Sequence, residues 1–290
     1  MKWEGNRESD NVEDRRGSGG GFPLPGGRGI GIGTIVIALL GGWLLGINPL
    51  TLLGLLSGAG GPPAQVQQAP AQRPPADDTL ARFVSTVLAD TEDVWQGVFR
   101  QAGGSYQEPR LVLFRGATPT ACGTGQAAMG PFYCPADQKV YIDLGFYETL
   151  KSRLGAPGDF AQAYVIAHEV GHHVQNLLGI SAKVDQMRGR VSQAEYNRYS
   201  VRLELQADCF AGVWAHHAQN ARQILEQGDV EEAMNAAAKI GDDALQRSSG
   251  GAVVPESFTH GTSAQRQRWF HAGMQQGSLK ACDTFAARAL

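Results

Sequence analysis

The segment 164–178, YVIAHEVGHHVQNLL, contains side chains whose types and spacing could bind a metal ion. His168 and His172 lie four residues apart, so on a helix both imidazoles project from one face toward an ion about 2.0–2.1 Å away. Glu169 is rotated by about 100° around the helix axis, close to the ion but poorly placed to bind it. A carboxylate in that position suits a general base that acts on metal-bound water. The spacing therefore predicts hydrolytic metal chemistry.

The residues around this motif predict the helix that must hold it. Apolar side chains recur at helical spacing and form one stripe that a core could cover: Ala163, Ile166, Ala167, Val170, Val174 and Leu177. His168 and His172 lie off this stripe, whereas His173 lies toward it, so we expect His173 to be a hydrogen-bonded core residue. Gly179 fits the left-handed position that ends a helix.

A catalytic zinc site needs a third protein ligand, and the segment RLELQADCFAGVW offers one. Glu204 and Asp208 share a face of a second helix predicted over 195–220. Glu204 can complete a His, His, Glu set and leave the fourth position for water. Asp208 can accept the free ring N–H of a ligand histidine and so fix its tautomer. The alternative is a pair of surface helices with ordinary polar residues.

The two motifs together resemble those of the gluzincin metallopeptidases. HEVGHHVQ and ELQADCFAG are similar to segments of the bacterial neutral zinc metallopeptidases. The resemblance implies a zincin-like α+β fold, mostly helical with a small β-sheet, and a zinc endopeptidase activity, but no particular substrate. One zinc ion on His168, His172 and Glu204 would then activate water, and Glu169 would pass its proton to the leaving amine. Manganese or cobalt would fit the same ligands, although imidazole-rich tetrahedral sites usually hold zinc.

A later segment, FTHGTSAQRQRWF, resembles the histidine-containing segment that follows the second ligand helix in membrane-linked gluzincins, with glycine in place of the usual proline. His260 is the first candidate for the donor that stabilises the oxyanion of the reaction, a contribution of about 3 kcal/mol. Tyr141 and Tyr147 are weaker candidates. The segment fits equally well a turn at the start of a helix that Thr262 or Ser263 caps.

Patterns elsewhere predict the scaffold. Asp77 or Asp78 can cap an amphipathic helix of about 20 residues. Further elements are expected from β-branched runs and apolar periodicity: strands at 110–116 and 139–145, helices at 230–247 and 263–277. One of the two strands could be the cleft edge that pairs with extended substrate, or both could be core strands. Asp242 and Asp243 either orient a cleft residue or lie at a solvated helix end.

The N-terminal fifth of the chain predicts a membrane anchor. Residues 1–28 are charged and then glycine-rich, which predicts a disordered tail. Residues 29–47 carry no charge and can cross about 30 Å of hydrocarbon, and the apolar stretch continues to give a transmembrane segment over 29–57. A cleaved signal peptide and a buried core helix are the alternatives. Residues 58–78 predict a proline-rich linker, and 79–290 the peptidase domain.

The distribution of charge predicts the orientation of this anchor. Five cations precede the apolar stretch, and the next one, Arg73, follows only after it: Lys2, Arg7, Arg15, Arg16 and Arg28. The positive-inside rule then predicts a single-pass protein of the bacterial inner (plasma) membrane, with a cytoplasmic N-terminus and a periplasmic domain. The net charge of -3 and pI of about 6.2 argue against a nucleic-acid partner. Expected partners are a peptide substrate and the lipid bilayer.

The four cysteines lack C-x-x-C spacing, which disfavours a structural zinc site. An even number in an extracytoplasmic domain favours two disulfides, and of the three possible connectivities we prefer Cys122 with Cys134 and Cys209 with Cys282; free buried thiols are the alternative. The residues together predict a membrane-anchored zinc endopeptidase. A non-catalytic, metal-stabilised binding or chaperone module and a zinc hydrolase of cell-wall peptides are the rival functions. Glu169 disfavours the first rival, because structural zinc needs no base.

Overall fold

The structure, a computed structural model, describes residues 1–17, 72–127, 130–248 and 252–290. These residues form a mixed α+β unit that is mostly helical and has two small sheets, which confirms the expected fold class at this level. The strands are β1 (Val12–Asp14), β2 (Arg110–Phe114), β3 (Ala117–Thr120), β4 (Gly123–Gln126), β5 (Phe132–Cys134) and β6 (Lys139–Asp143). The helices are α1 (Thr79–Gln101), α2 (Gly145–Ser152), α3 (Asp159–Leu177), α4 (Ile180–Asp185), α5 (Gln193–Arg222), α6 (Asp229–Lys239), α7 (Asp242–Ser248) and α8 (Ser263–Gln276).

The larger sheet has the strand order β1-β2-β6-β5, and β3 pairs with β4 in a separate hairpin. Strands β1, β2 and β6 are parallel, whereas β5 runs antiparallel to β6. The two strands predicted from sequence are β2 and β6, and each has a neighbour on both sides. Neither therefore offers a free edge to a substrate, and that suggested role is wrong for both. Strand β5, which the sequence did not reveal, lies at the edge.

Residues 1–17 pack on the folded unit, so the prediction of a disordered tail is wrong for this part of the chain. Strand β1 pairs with β2 in the register Val12 to Leu111. The ring of Trp3 packs edge-on against Phe83, with ring centroids 5.4 Å apart. A three-residue strand is too short to show a period-two pattern, and its pairing partner is about a hundred residues away.

The other segments predicted for the N-terminal fifth lie mostly outside the described residues. Residues 18–71, which include the predicted transmembrane segment 29–57 and most of the predicted linker, lie outside the described residues. At the end of the linker, Gln72 forms an antiparallel bridge with Asp14. None of the helices among the described residues is both long and apolar enough to cross a bilayer.

The helix boundaries follow local chemistry. The Asp78 carboxylate accepts a hydrogen bond from the Ala81 amide and caps α1. Gly179 follows the end of α3 with φ of +70°, as predicted. Thr262 and Gln265 form a capping box at the start of α8. The single helix predicted over 230–247 is instead two helices, α6 and α7, separated near Gly241.

Helices α3 and α5 approach each other closely beside the two sequence motifs. A Cβ atom placed on Gly171 would lie 3.0 Å from the carbonyl oxygen of Ala207. Gly171 lies between the two motif histidines, and Ala207 lies between Glu204 and Asp208. The small residues therefore let the two helices meet at the point where the polar side chains project.

Both predicted disulfides are present, and each stabilises the surroundings of the helix pair. Cys122–Cys134 ties the end of β5 to the turn between β3 and β4. Cys209–Cys282 ties α5 to a 3₁₀ turn near the C-terminus. Cross-links of this kind stabilise a fold by typically 2–4 kcal/mol.

Candidate metal centre

Three side chains from α3 and α5 converge at the helix crossing. Nε2 of His168 lies 3.2 Å from Oε2 of Glu204, and Nε2 of His172 lies 3.5 Å from Oε1 of the same carboxylate. The ligand atoms of all three residues lie within 4.8 Å of one another. His168 is buried, and the other two are largely buried.

These separations fit a tetrahedral metal site. Ligands held 2.0–2.1 Å from a zinc ion at tetrahedral angles lie about 3.3–3.4 Å apart. The two measured nitrogen-to-oxygen distances, 3.2 and 3.5 Å, bracket that value. Two imidazoles and one carboxylate are also the donor set of many catalytic zinc sites. The residues present therefore fit a zinc ion.

Asp208 fixes the tautomer of His168. Its Oδ1 lies 2.8 Å from Nδ1 of His168, so the ring donates from Nδ1 and keeps the Nε2 lone pair directed at the centre. Asp208 is fully buried and accepts two hydrogen bonds of 2.9 Å from Arg266 and one of 2.5 Å from the Tyr164 hydroxyl. The Arg266 guanidinium compensates the buried charge of the carboxylate.

Helix α8, which carries Arg266, approaches α5 very closely. A Cβ atom on Gly273 would lie 1.9 Å from the carbonyl oxygen of Cys209, so only glycine fits at this crossing. The disulfide of Cys209 lies at the same place. The buried Arg266–Asp208 pair therefore depends on a closely packed helix interface.

Gln175 gives His172 an equivalent partner. Its Oε1 lies 2.9 Å from Nδ1 of His172, while its amide nitrogen donates to the Leu203 carbonyl and to Gln206. Because both acceptors hold the nitrogen end of the amide, the oxygen end faces the imidazole. His172 therefore donates from Nδ1 and presents Nε2 to the centre.

The electrostatics of the metal-free centre favour replacement of protons by a cation. Burial lowers the pKa of His168, but Asp208 and Glu204 outweigh it and raise the pKa to about 9. Burial raises the pKa of Glu204, yet His172 and His168 hold it well below its usual value. Burial lowers the pKa of His172, but the Glu204 carboxylate outweighs it, so the net shift of this pKa is upward. At neutral pH the site is thus an ion-paired cluster whose protons a dication can displace.

Glu169 lies on α3 between the two motif histidines, but its environment differs from theirs. Only 7% of the residue is exposed, and burial raises the pKa of its carboxyl group, while His172 and His168 act in the opposite direction. Glu169 makes no hydrogen bond among the described residues that would hold it to another protein group. A carboxylate with a raised pKa, facing a cleft, suits a group that takes and later returns a proton.

A cleft of about 990 Å³ opens over these residues, at the upper end of the usual range for ligand pockets. Its walls include residues of the edge strand β5, such as Phe132 and Tyr133, as well as Glu169 and His260. The edge strand and the candidate ligands therefore share one cavity.

His260 lines the cleft with its side chain about half exposed. Its Nδ1 lies 3.1 Å from Oδ1 of Asp242, and Asp242 also accepts backbone N–H bonds from Thr259, His260 and Gly261. Asp242 therefore orients a cleft residue, which was one of the two readings of the sequence. Its hydrogen bond raises the pKa of His260 against burial, and Nε2 makes no hydrogen bond to the described residues.

The other sequence candidates lie elsewhere. Tyr147 and Tyr141 are buried outside the walls of the cleft, so neither is a donor to a substrate. His173 is a core residue, as expected, hydrogen-bonded to Tyr133 and to the Gln107 carbonyl. A second cluster of carboxylates surrounds the amino group of Met1.

Three important residues of the network were not assigned from sequence: Tyr164, Gln175 and Arg266. Tyr164 and Gln175 lie on α3 at positions i-4 from His168 and i+3 from His172, so helical spacing was a usable signal. Arg266 is 58 residues beyond its partner Asp208. Only the packing of α8 against α5 shows that Arg266 reaches Asp208.

Comparison with known proteins places the chain in context. A family model described as "Putative neutral zinc metallopeptidase" matches residues 1–285. The uncharacterized protein YpfJ of Escherichia coli (strain K12) is 55% identical over 292 residues, which cover 98% of this chain and 99% of the relative. The uncharacterized protein Rv2575 of Mycobacterium tuberculosis (strain ATCC 25618 / H37Rv) is 41% identical over 220 residues, or 72% of this chain and 73% of the relative. No solved structure matches the chain.

Proposed function

Since the chain belongs to the "Putative neutral zinc metallopeptidase" family, we propose that it is a zinc-dependent endopeptidase. The observation that carries the proposal is the convergence of His168, His172 and Glu204 at tetrahedral spacing, beside Glu169, a buried acid that makes no hydrogen bond to the residues that the structure describes. A purely structural metal site would use the three ligands but has no need of Glu169.

The chain's own residues account for the proton transfers. Zinc held by the three ligands would polarise a peptide carbonyl and lower the pKa of water in the site. Glu169 takes a proton from the attacking water and delivers it to the leaving amine. The partners on Nδ1, Asp208 and Gln175, keep both imidazoles in the tautomer that binds metal.

Two further groups bind and stabilise the substrate. Within the part of the chain that the structure describes, β5 pairs only with β6, so an extended peptide can add to its other side through backbone hydrogen bonds. His260, held by Asp242, donates from Nε2 to the oxygen that becomes negative in the tetrahedral intermediate. The substrate class is therefore a protein or peptide segment that can be extended along the cleft.

The proposal includes a location. Two disulfides support a site of action outside the bacterial cytoplasm, where thiols are oxidised. The uncharged stretch 29–47 supports an attachment to the lipid bilayer.

Substitution of Glu169 by Gln tests the assignment. The zinc-loaded full chain is incubated with an unbiased peptide library and, in parallel, with peptidoglycan, and the products are identified by mass spectrometry. We expect peptide cleavage by the wild type, at least about 10²-fold less cleavage by Glu169→Gln, and one zinc per chain in both. Retained turnover in Glu169→Gln would refute the mechanism. Release of cell-wall fragments without cleavage of library peptides would show that the substrate is cell-wall peptide and not protein.

His260→Gln separates the oxyanion role from metal binding. We expect kcat to fall by about 10²–10³-fold with KM changed only a few-fold and with the zinc content unchanged. Asp242→Asn, which weakens the acceptor that holds the ring and the backbone of His260, should give a smaller decrease in kcat. An unchanged kcat in His260→Gln would exclude the oxyanion role and leave His260 as a residue of the turn before α8.

A further inference from the structure

The two chain segments that flank residues 18–71 meet at one place on the fold. The backbone N–H of Asp14 donates to the carbonyl oxygen of Gln72 at 2.7 Å. The Arg16 guanidinium binds the carboxylate of Asp78 at 2.6 Å, and Arg73 binds Asp10 at 2.9 Å. Asp14 and Gln72, near the two ends of this segment, thus lie close together on the described fold.

The contacts between residues 1–17 and the rest of the unit are buried and specific. Glu92 is 1% exposed, and its carboxylate accepts hydrogen bonds from Arg7, Ser9 and Asn11, all in the N-terminal segment. In the opposite direction, the buried Glu13 carboxylate binds Lys139 at 2.8 Å. Each segment therefore supplies the charges that compensate buried groups of the other.

The cations that suggested a cytoplasmic N-terminus take part in these contacts. Arg7 binds Glu92 and Asp93, Arg15 binds Glu13, and Arg16 binds Asp14 and Asp78: three of the five cations that precede the apolar stretch are therefore ion-paired within the unit. Charges paired in this way are not free to hold a flanking segment on the cytoplasmic side of a bilayer.

We propose that residues 1–17 are part of the catalytic unit and lie on the same side of the membrane as residues 72–290. A single passage of the stretch 29–47 through a bilayer would put β1 and β2 in different compartments, and the parallel pairing of these strands forbids it. This replaces the single-pass arrangement expected from charge alone.

The length of the apolar stretch adds to this inference. Residues 29–57 number 29, and each helical crossing of a bilayer needs about 20 apolar residues. Two crossings, which would return the chain to the same side, need about 40. Any contact of this stretch with lipid is then made from one side of the bilayer.

Labelling of single cysteines in the full chain tests the arrangement. Glu4→Cys reports on the N-terminal segment and Gln101→Cys on the end of α1, and both positions are exposed. The wild type is the blank, because its four cysteines are paired in disulfides. Spheroplasts of an expressing bacterium are treated with a membrane-impermeant maleimide before or after lysis. Labelling in detergent gives the maximum for each position.

We expect Glu4→Cys and Gln101→Cys to label to the same fraction of that maximum under each condition. Equal labelling of intact spheroplasts supports both the shared side and the extracytoplasmic location. Equal protection until lysis supports the shared side and refutes that location, without bearing on the peptidase chemistry. Labelling of one position in intact spheroplasts with protection of the other would overturn the proposal.

Discussion

The molecule has two networks of buried charge. They differ in whether protein groups alone pair their carboxylates or whether the side chains also converge as potential metal ligands. Around β1, the carboxylates of Glu13 and Glu92 bind cations or neutral donors supplied by the protein. At the metal centre, Arg266 pairs with Asp208 but not with Glu204, which faces two imidazoles. The first network is paired by protein groups alone, whereas the second directs two imidazole nitrogens and one carboxylate toward one point.

This difference shows that burial of acidic residues does not by itself indicate a functional site. Both networks hold glutamates that are almost fully or largely buried. The informative feature is a set of potential metal ligands that converge on one point with no lysine or arginine of the described residues between them. A divalent cation completes such a set and is expected to bind there.

The largest expected effect comes from matched substitutions of one glutamate in each network. Glu204→Gln keeps the shape of the side chain but removes the anionic ligand, so zinc affinity should fall by more than the roughly 10–100-fold typical of a group outside the ligand set. Glu92→Gln, in the β1 network, should leave one zinc bound per chain. Zinc is measured by elemental analysis after dialysis and by competition with a chelator. Equal zinc loss in both variants would remove the distinction between the networks.

A smaller effect is expected when the compensating charge is disturbed. Asp208→Asn leaves Arg266 buried without its carboxylate, which should cost about 3–5 kcal/mol of unfolding free energy, and it should weaken zinc binding about 10–100-fold. The control Asp93→Asn removes two partly exposed pairs, with Arg7 and Arg222, and should cost at most about 1 kcal/mol. Urea unfolding with and without zinc measures both. Similar costs for the two variants would contradict the assigned role of Arg266.

The smallest effect is a pH dependence in the β1 network. Burial opposes it, but Lys139, Arg15 and Arg110 lower the pKa of Glu13 from 4.5 to about 2. The stabilisation from this carboxylate is therefore present above pH 4.5 and is lost as the pH falls toward 2. In metal-free protein, the difference in unfolding free energy between wild type and Glu13→Gln should be constant above pH 4.5 and shrink below it. A difference that does not change with pH would exclude the paired state of Glu13.

Much of the metal centre could be predicted from sequence because its residues repeat at local helical spacing. His168, Glu169 and His172 lie within one helix, and Glu204 with Asp208 lie within another, so each pair of positions fixes a common face. The helix bounds followed from caps and apolar periodicity. The meeting of the two faces needed the resemblance to a family, since no local rule connects α3 to α5.

The parts that sequence reasoning missed depend on contacts between distant segments. Strand β1 has three residues and pairs with β2, and β5 has three residues and pairs with β6, so neither is long enough to show an alternating pattern. The charges of Arg7 and Arg16 suggest a solvated tail, but Arg7 pairs with the buried Glu92, and Arg16 pairs with the partly buried Asp14 and Asp78. A charged segment with few apolar residues can thus be ordered when the rest of the fold supplies matching charges.

Gly171 lets the two ligand-bearing helices approach each other without itself supplying a ligand. It lies at the crossing of α3 with α5, where an added methyl group would have only 3.0 Å to the Ala207 carbonyl oxygen and its neighbour would have to move by a few tenths of an ångström. Bond lengths to oxygen differ by a similar amount between zinc, at about 2.0–2.2 Å, and calcium, at about 2.3–2.6 Å. A side chain at this position would therefore shift the imidazoles relative to Glu204 by an amount comparable to the difference between these two ions.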